Sequence, residues 1–186
     1  MKNNKVYPNK WQSVPFSFDL IEQWMENGKP TKELILKNEA ATALKVSEMQ
    51  LNIIKFSAVD EAGKEHHIEN FTGQNAVTFK GITSGHFLRS RSVLTLPQGK
   101  YTTLRFYLAK DGNQFTYRDG VEEPVNDFDR LDFTIEKGLQ IDGNEAPEVK
   151  LWFDFVPFKW NRRLKPLMDL FASKGERPRL ANSFGN

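Results

Sequence analysis

The stretch Leu96-Pro97-Gln98-Gly99-Lys100-Tyr101-Thr102-Thr103-Leu104-Arg105-Phe106-Tyr107-Leu108 constrains the fold more than any other part of the chain. A Pro-x-Gly turn feeds directly into residues whose side chains sort by parity. Thr102, Leu104, Phe106 and Leu108 share one face of an extended chain; Tyr101, Thr103, Arg105 and Tyr107 share the other. Successive strand residues point to opposite faces, so the pattern predicts a half-buried strand with the first set in the core.

Other segments alternate in the same way. Val14, Phe16, Phe18 and Leu20 predict a first strand, and Pro15 places it at a sheet edge or a strand start. Ile21 to Asn27 follows as about one helical turn, ended by Gly28 and Pro30. Glu33–Lys37 reads as a strand, whereas Glu39–Leu44 has helix-forming content, which leaves residues 33–46 open between the two. Met49, Leu51 and Ile53 hold one parity and Ile54, Phe56 and Ala58 the other, a phase flip that predicts a β-bulge or a crossing between sheets. Turns at Glu61-Ala62-Gly63-Lys64, Asp111-Gly112-Asn113 and Asp119-Gly120 predict hairpins. Leu131, Phe133 and Ile135, and later Val149, Leu151, Phe153 and Phe155, alternate with polar residues.

Short strands separated by such turns, without regular helical spacers, predict an all-β fold, an antiparallel β-sandwich. Three regions follow: a polar arm over residues 1–13, the sandwich over 14–158, and a basic tail over 159–186. In the tail, Leu164, Leu167, Met168 and Phe171 fall at helical spacing, with Pro166 near the first turn and Gly175 as the stop. They predict a short C-terminal helix.

The 186 residues fit one domain with a sizeable core, and fifteen Phe suit sheet faces. Absence of cysteine excludes disulfides, iron–sulfur clusters, thiolate zinc sites and cysteine nucleophiles. A net charge of +2 carries no general nucleic-acid footprint. No apolar run long enough to span a membrane is present, and no apolar run follows the basic N-terminus as in a secretory signal. The expectation is a cytoplasmic protein, or a mature form whose signal has been removed.

Residues 44–158 resemble a family of bacterial β-sandwich domains of uncharacterised function, often found in cell-envelope lipoproteins. The resemblance lies in Leu96-Pro97-Gln98-Gly99-Lys100-Tyr101-Thr102 and its alternating strand, in Tyr117-Arg118-Asp119-Gly120 followed by Pro124, in Leu131-Asp132-Phe133-Thr134-Ile135, and in Leu151-Trp152-Phe153-Asp154-Phe155. It implies an immunoglobulin- or transthyretin-like sandwich at the cell envelope, with no established catalytic residues.

Several constellations bear on function. Asp119, Glu122, Glu123, Asp127, Asp129 and Asp132 crowd one loop and the next strand, where hard oxygen ligands suit Ca²⁺; a solvated acidic loop explains the same residues. Asp127, Asp129 and Asp132 are the candidate metal ligands. His66 and His67 are adjacent and face opposite sides of a strand, so they cannot share one metal from one face, and His86 lies in a distant loop. Neither a nucleophile elbow, a phosphate-binding glycine loop nor a zincin motif occurs. Between Lys159 and Arg179 the net charge is +5, with Arg162, Arg163 and Lys165 near its start. This tail suits an anionic surface, phospholipid headgroups included, or a short helix docked on the sandwich with its charges wet.

Exposed aromatics opposite the core, Tyr101, Tyr107, Tyr117 and Trp152, are the expected ligand or partner surface, suited to sugar stacking or to a protein interface. The reading is a non-catalytic binding or structural protein of the bacterial cell envelope, without a cofactor, with a protein or glycan partner and room for homo-oligomers. Two alternatives stand beside it: a subunit of a larger assembly whose terminal arms order on neighbours, and a divalent-metal-dependent enzyme using the loop over 119–132.

Overall fold

In three dimensions the alternating segments join one mixed, curled sheet. The structure is a computed structural model and describes residues 11–25, 31–69, 71–90, 95–143 and 148–159, with backbone alone for 22–25. Its order is β1 (Trp11–Pro15), α1 (Phe16–Met25), β2 (Thr31–Lys37), α2 (Glu39–Ala43), β3 (Val46–Asp60), β4 (Glu65–His67) and β5 (Gln74–Lys80). A 3₁₀ turn at Ile82–Ser84 leads to β6 (His86–Ser90), then β7 (Gly99–Leu108), β8 (Gln114–Tyr117), β9 (Glu122–Pro124), β10 (Arg130–Ile141) and β11 (Glu148–Phe153). Nine strands form the path β1-β6-β11-β2-β10-β7-β3-β8-β9, and β4 and β5 pair with β3. The all-β expectation holds. A wholly antiparallel sheet does not form, because β11 runs parallel to β2, with Leu151 opposite Leu34 and Phe153 opposite Leu36.

The path curls until β1 meets β5. The Trp11 N–H donates to Gln74 Oε1 at 2.6 Å, and Gln74 Nε2 donates back to the Trp11 carbonyl at 2.8 Å. Inside the curl, the ring of Phe79 stacks on Phe153 at 4.6 Å and meets Phe106 at 5.2 Å, while Phe133 lies 5.6 Å from Phe106 and 5.3 Å from Phe153. These four rings come from β5, β7, β10 and β11 and are wholly buried. They account for the high phenylalanine content.

The expected phase flip in β3 is a bulge. Ile53 pairs with Leu108 and Lys55 with Tyr107, so Ile54 is the extra residue; it is 58% exposed while Phe56 turns into the core. β7 buries Leu104, Phe106 and Leu108 as its parity demands. Parity fails at its start. Val59 pairs with Thr103 and Asp60 with Tyr101, which leaves Thr102 as an extra residue and rotates Tyr101 inward to 1% exposure. The Tyr101 hydroxyl donates to the Pro97 carbonyl at 2.7 Å. Tyr101 is therefore a core residue and no part of an exposed surface.

Further corrections concern the N-terminal part. β1 begins at Trp11, inside the segment expected to be a polar arm, and Trp11 is buried against Phe56 at 5.5 Å. The strand expected to reach Leu20 stops at Pro15, and the Phe16 N–H donates to the Gly85 carbonyl as α1 begins. Both readings of residues 33–46 apply, each to its own part: β2 is extended, and α2 is a short helix capped by Asn38, whose side chain accepts from the Ala41 N–H at 2.7 Å. The C-terminal helix falls within 160–186, outside the described residues.

Truncating Phe133 to alanine removes the ring that touches Phe79, Phe106 and Phe153 at once. The expected loss is about 3–5 kcal/mol by denaturant unfolding, with an unchanged m-value.

Candidate functional site

Helix α1 lies on the outer face of the sheet and is built inside out. Its acidic residue Asp19 is 1% exposed, while Phe16, Leu20, Ile21 and Phe18 are turned to solvent, Phe18 at 61%. The cause sits on β11. Lys150, expected to face water, is 2% exposed; its Nζ donates to Asp19 and lies 5.4 Å from the centre of the Phe87 ring. Arg89, opposite Lys150 in the β6–β11 pairing, donates to Glu148 and approaches Asp19 at 3.6 Å. Two cations on one outer face therefore draw the only described α1 carboxylate inward. Turning Asp19 inward leaves the apolar residues beside it pointing out.

Beside α1 a trough of about 520 Å³ opens, with walls from Phe16, Ile35, Ile82, Gly85 and Trp152, a floor of Leu34 and Ile135, and a rim of Glu33, Glu136, Lys137 and Gly138. Trp152 packs on Phe87 at 4.9 Å and faces Phe16 at 6.1 Å, so its orientation is set from two sides. The trough exists because the sheet splits there. β2 and β10 pair only at Lys37↔Thr134 and Leu36↔Ile135. Against β7, β10 then jumps from Thr134 to Leu139. Gly138 takes φ of +70° in this bulge, and a side chain there would press within 3.3 Å of the Tyr101 carbonyl. Glu136 is held by Lys37 at 3.0 Å, whereas Glu33 keeps a 57% exposed side chain, 4.0 Å from Lys150.

A second polar cluster crosses β3, β4, β7 and β10. Arg105 makes two bonds to Asp132, each 2.7 Å, and one to Glu65 at 3.0 Å. The hydroxyls of Ser57 and Tyr107 also donate to Glu65. Burial pushes the Glu65 carboxyl up, but the Ser57 and Tyr107 hydroxyls and the Arg105 guanidinium outweigh it and hold it at about 2. The hydrogen bond to Asp132 is the main reason the Arg105 guanidinium is held above its ordinary range. Every member is satisfied by another, so the cluster clamps strands together.

Of the expected partner surface, Trp152 lines the trough. Tyr107 is half-buried, bound to Glu65, with Lys55 Nζ 5.3 Å from its ring centre. Tyr117 is half-buried against the core, and burial raises its hydroxyl pKa, aided by a hydrogen bond to Glu123. Asp127 and Asp129 are exposed in the β9–β10 connection, while Asp132 is engaged by Arg105. Among the described residues, no group of three or more His, Asp or Glu is placed to hold a metal ion. His66 bonds Asp60 at 2.8 Å, and His67 sits 3.6 Å from Glu65, on opposite faces as expected. Lys159 is exposed, and its N–H donates to the Arg118 carbonyl at 2.9 Å; Arg162, Arg163 and Lys165 lie outside the described residues.

Sequence reasoning missed the trough itself. Phe16, Phe18 and Leu20 read as a strand's core face, and Ile35 as half of an ambiguous segment. One signal was present: Glu136-Lys137-Gly138 interrupts the β10 alternation with two charges and a glycine. No family model, curated protein or solved structure matches the chain.

Two measurements check these placements. Lys150→Met removes the buried ammonium that donates to the Asp19 carboxylate and is expected to destabilise by about 3 kcal/mol, whereas adding Asp19→Leu recovers most of that loss. Glu65 titrates lower in the folded chain than in the unfolded one, so its contribution is complete above the unfolded carboxyl pKa of about 4.3. It fades as pH falls from there to about 2. The difference in melting temperature between wild type and Glu65→Gln should therefore be constant from pH 7 to about 5 and shrink toward about 2.5.

Proposed function

We propose that the chain is a non-catalytic binding protein whose recognition surface is the trough at Trp152 together with the outward face of α1, and that it takes a segment of a partner protein. One observation carries the reading: α1 buries its aspartate and displays Phe16, Phe18, Leu20 and Ile21 next to an apolar trough. A contiguous exposed apolar surface with a charged rim is what protein interfaces use. A sugar site needs polar groups beside its aromatic ring; the Trp152 ring packs against Phe16 and Phe87 with Ile35 opposite it, while Glu33, Glu136 and Lys137 line the same trough. The neighbourhood of Trp152 therefore favours an apolar peptide over a glycan.

The body that presents this surface we read as sandwich-like. Rings from strands that are not ladder neighbours, Phe79 with Phe153 and Trp11 with Phe56, meet across the interior of the curl. Placement at the cell envelope is supported by the resemblance of residues 44–158 to envelope sandwich domains and belongs to the same proposal. The alternative in which the chain is a subunit of a larger assembly uses the same surface, since the apolar face of α1 suits a permanent neighbour equally well.

Panning a peptide-display library against the purified chain tests the reading. Enriched binders rich in apolar residues, weakened about tenfold or more by Trp152→Ala and unaffected by Tyr117→Phe, are expected. An absence of enriched binders, or binders indifferent to Trp152, overturns it.

A further inference from the structure

We infer that the partner of the trough is a second copy of this chain, held so that α1 of each protomer lies in the trough of the other. The inference rests on the protein-binding reading above and names the partner. Phe16 makes the surface two-sided. It starts the exposed ridge of α1 and is also a wall of the trough, 6.1 Å from Trp152. Leu20 stands one helical turn beyond it on the same side, and Ile21 lies nearly opposite the buried Asp19. An apolar ridge and an apolar trough therefore share an edge at Phe16.

A two-fold axis beside that edge sets each ridge over the other protomer's trough. Such an isologous contact uses one patch twice, residue i meeting j and j meeting i. A foreign partner must carry its own ridge to match the trough and its own hollow to cover α1, at the same spacing. A second copy carries both by identity.

Area and charge fit this occupant. Phe16, Phe18, Leu20 and Ile21 are between 45% and 61% exposed, which leaves on the order of 400 Å² of apolar surface in water. A standard interface buries about 800 Å² per protomer. The ridge supplies about half of that, and the walls it covers on the partner, Ile35, Ile82 and Trp152, add to it. The trough of about 520 Å³ has room for large apolar side chains such as the partner's Leu20 and Ile21. An unpaired charge in a closed contact is costly, and α1 avoids one because Asp19, its only described carboxylate, is turned to Lys150. Glu33, Glu136 and Lys137 stand at the rim, where a polar border stays wet. A helix with a buried carboxylate on one side and an apolar face on the other has a neighbour on both sides once the dimer forms.

The test uses the full chain in analytical ultracentrifugation from about 1 to 300 µM. A species of twice the 21.5 kDa chain mass that dissociates on dilution is expected. Ile21 is exposed, so Ile21→Lys leaves the melting temperature of dilute protein unchanged while raising the dimer dissociation constant about tenfold or more. The chain has no cysteine, so Ser17→Cys places a single thiol on the exposed face beside Phe16. A short bis-maleimide links two copies through it, and not through Val121→Cys in the exposed β8–β9 turn. A chain that stays monomeric throughout, a dimer indifferent to Ile21→Lys, or a dimer that Ser17→Cys fails to link overturns the inference. In each of those cases Trp152-dependent display binders leave the protein-binding reading standing, whereas panning that also yields none overturns both.

Discussion

The contact between Lys150 and Asp19 decides more of this molecule than any single ring in the core. A buried lysine on the outer face of a sheet requires a carboxylate, and the only described one on α1 is Asp19. Meeting that requirement sets the rotation of the helix, and the rotation sets which residues remain outside. Phe18, Leu20 and Ile21 are exposed because Asp19 is not. The Phe87 ring under the ammonium and Arg89 beside it complete a site in which the charges are matched before any partner arrives. Replacing such a pair by apolar residues is often neutral for stability, so its use here is better understood as fixing orientation.

Three of the sheet's register shifts bear on where its side chains point. Ile54 in β3 restores core parity for Phe56, and Thr102 in β7 turns Tyr101 inward. The third is of another kind. Between Thr134 and Leu139 the β10 chain leaves the β7 ladder, and its β2 ladder ends one residue into that interval, at Ile135. The first two repair a core and leave their surroundings closed. The third opens the sheet, and the apolar trough forms at that opening. Bulges are found beside binding sites because a displaced strand exposes both side chains and backbone.

Much of the fold was legible from alternation alone. The β7 core face from Leu104 onward, the β3 bulge and the hairpin turns follow from period and turn chemistry, whereas residues 33–46 stayed open between strand and helix. What escaped reading depends on long-range contacts. Val14 to Leu20 alternates as a strand should, yet Lys150, 131 positions away from Asp19, converts its second part into a helix. Tyr101 has the parity of an outward residue, but register with β3 overrides it. The parallel β2–β11 pair is likewise invisible, since no local pattern states which distant strand will be the neighbour. Trp152 was legible as a surface residue; the surface it belongs to was not, because Phe16, Ile35, Ile82 and Gly138 converge from four segments.

The two polar regions of the sheet differ in a way that bears on where chemistry or binding can occur. At Glu65, Arg105, Asp132, Tyr107 and Ser57, charges and hydroxyls satisfy one another, and the carboxyl of Glu65 is held ionised to about pH 2. A group so stabilised is a poor general base, because its proton affinity lies far below neutral pH. At the β2–β10 split the trough instead sets Phe16, Ile35, Ile82 and Trp152 beside Glu33, Glu136 and Lys137. The first region spends its polarity on holding β4, β3, β7 and β10 together, and that fastening keeps the sheet rigid up to the bulge.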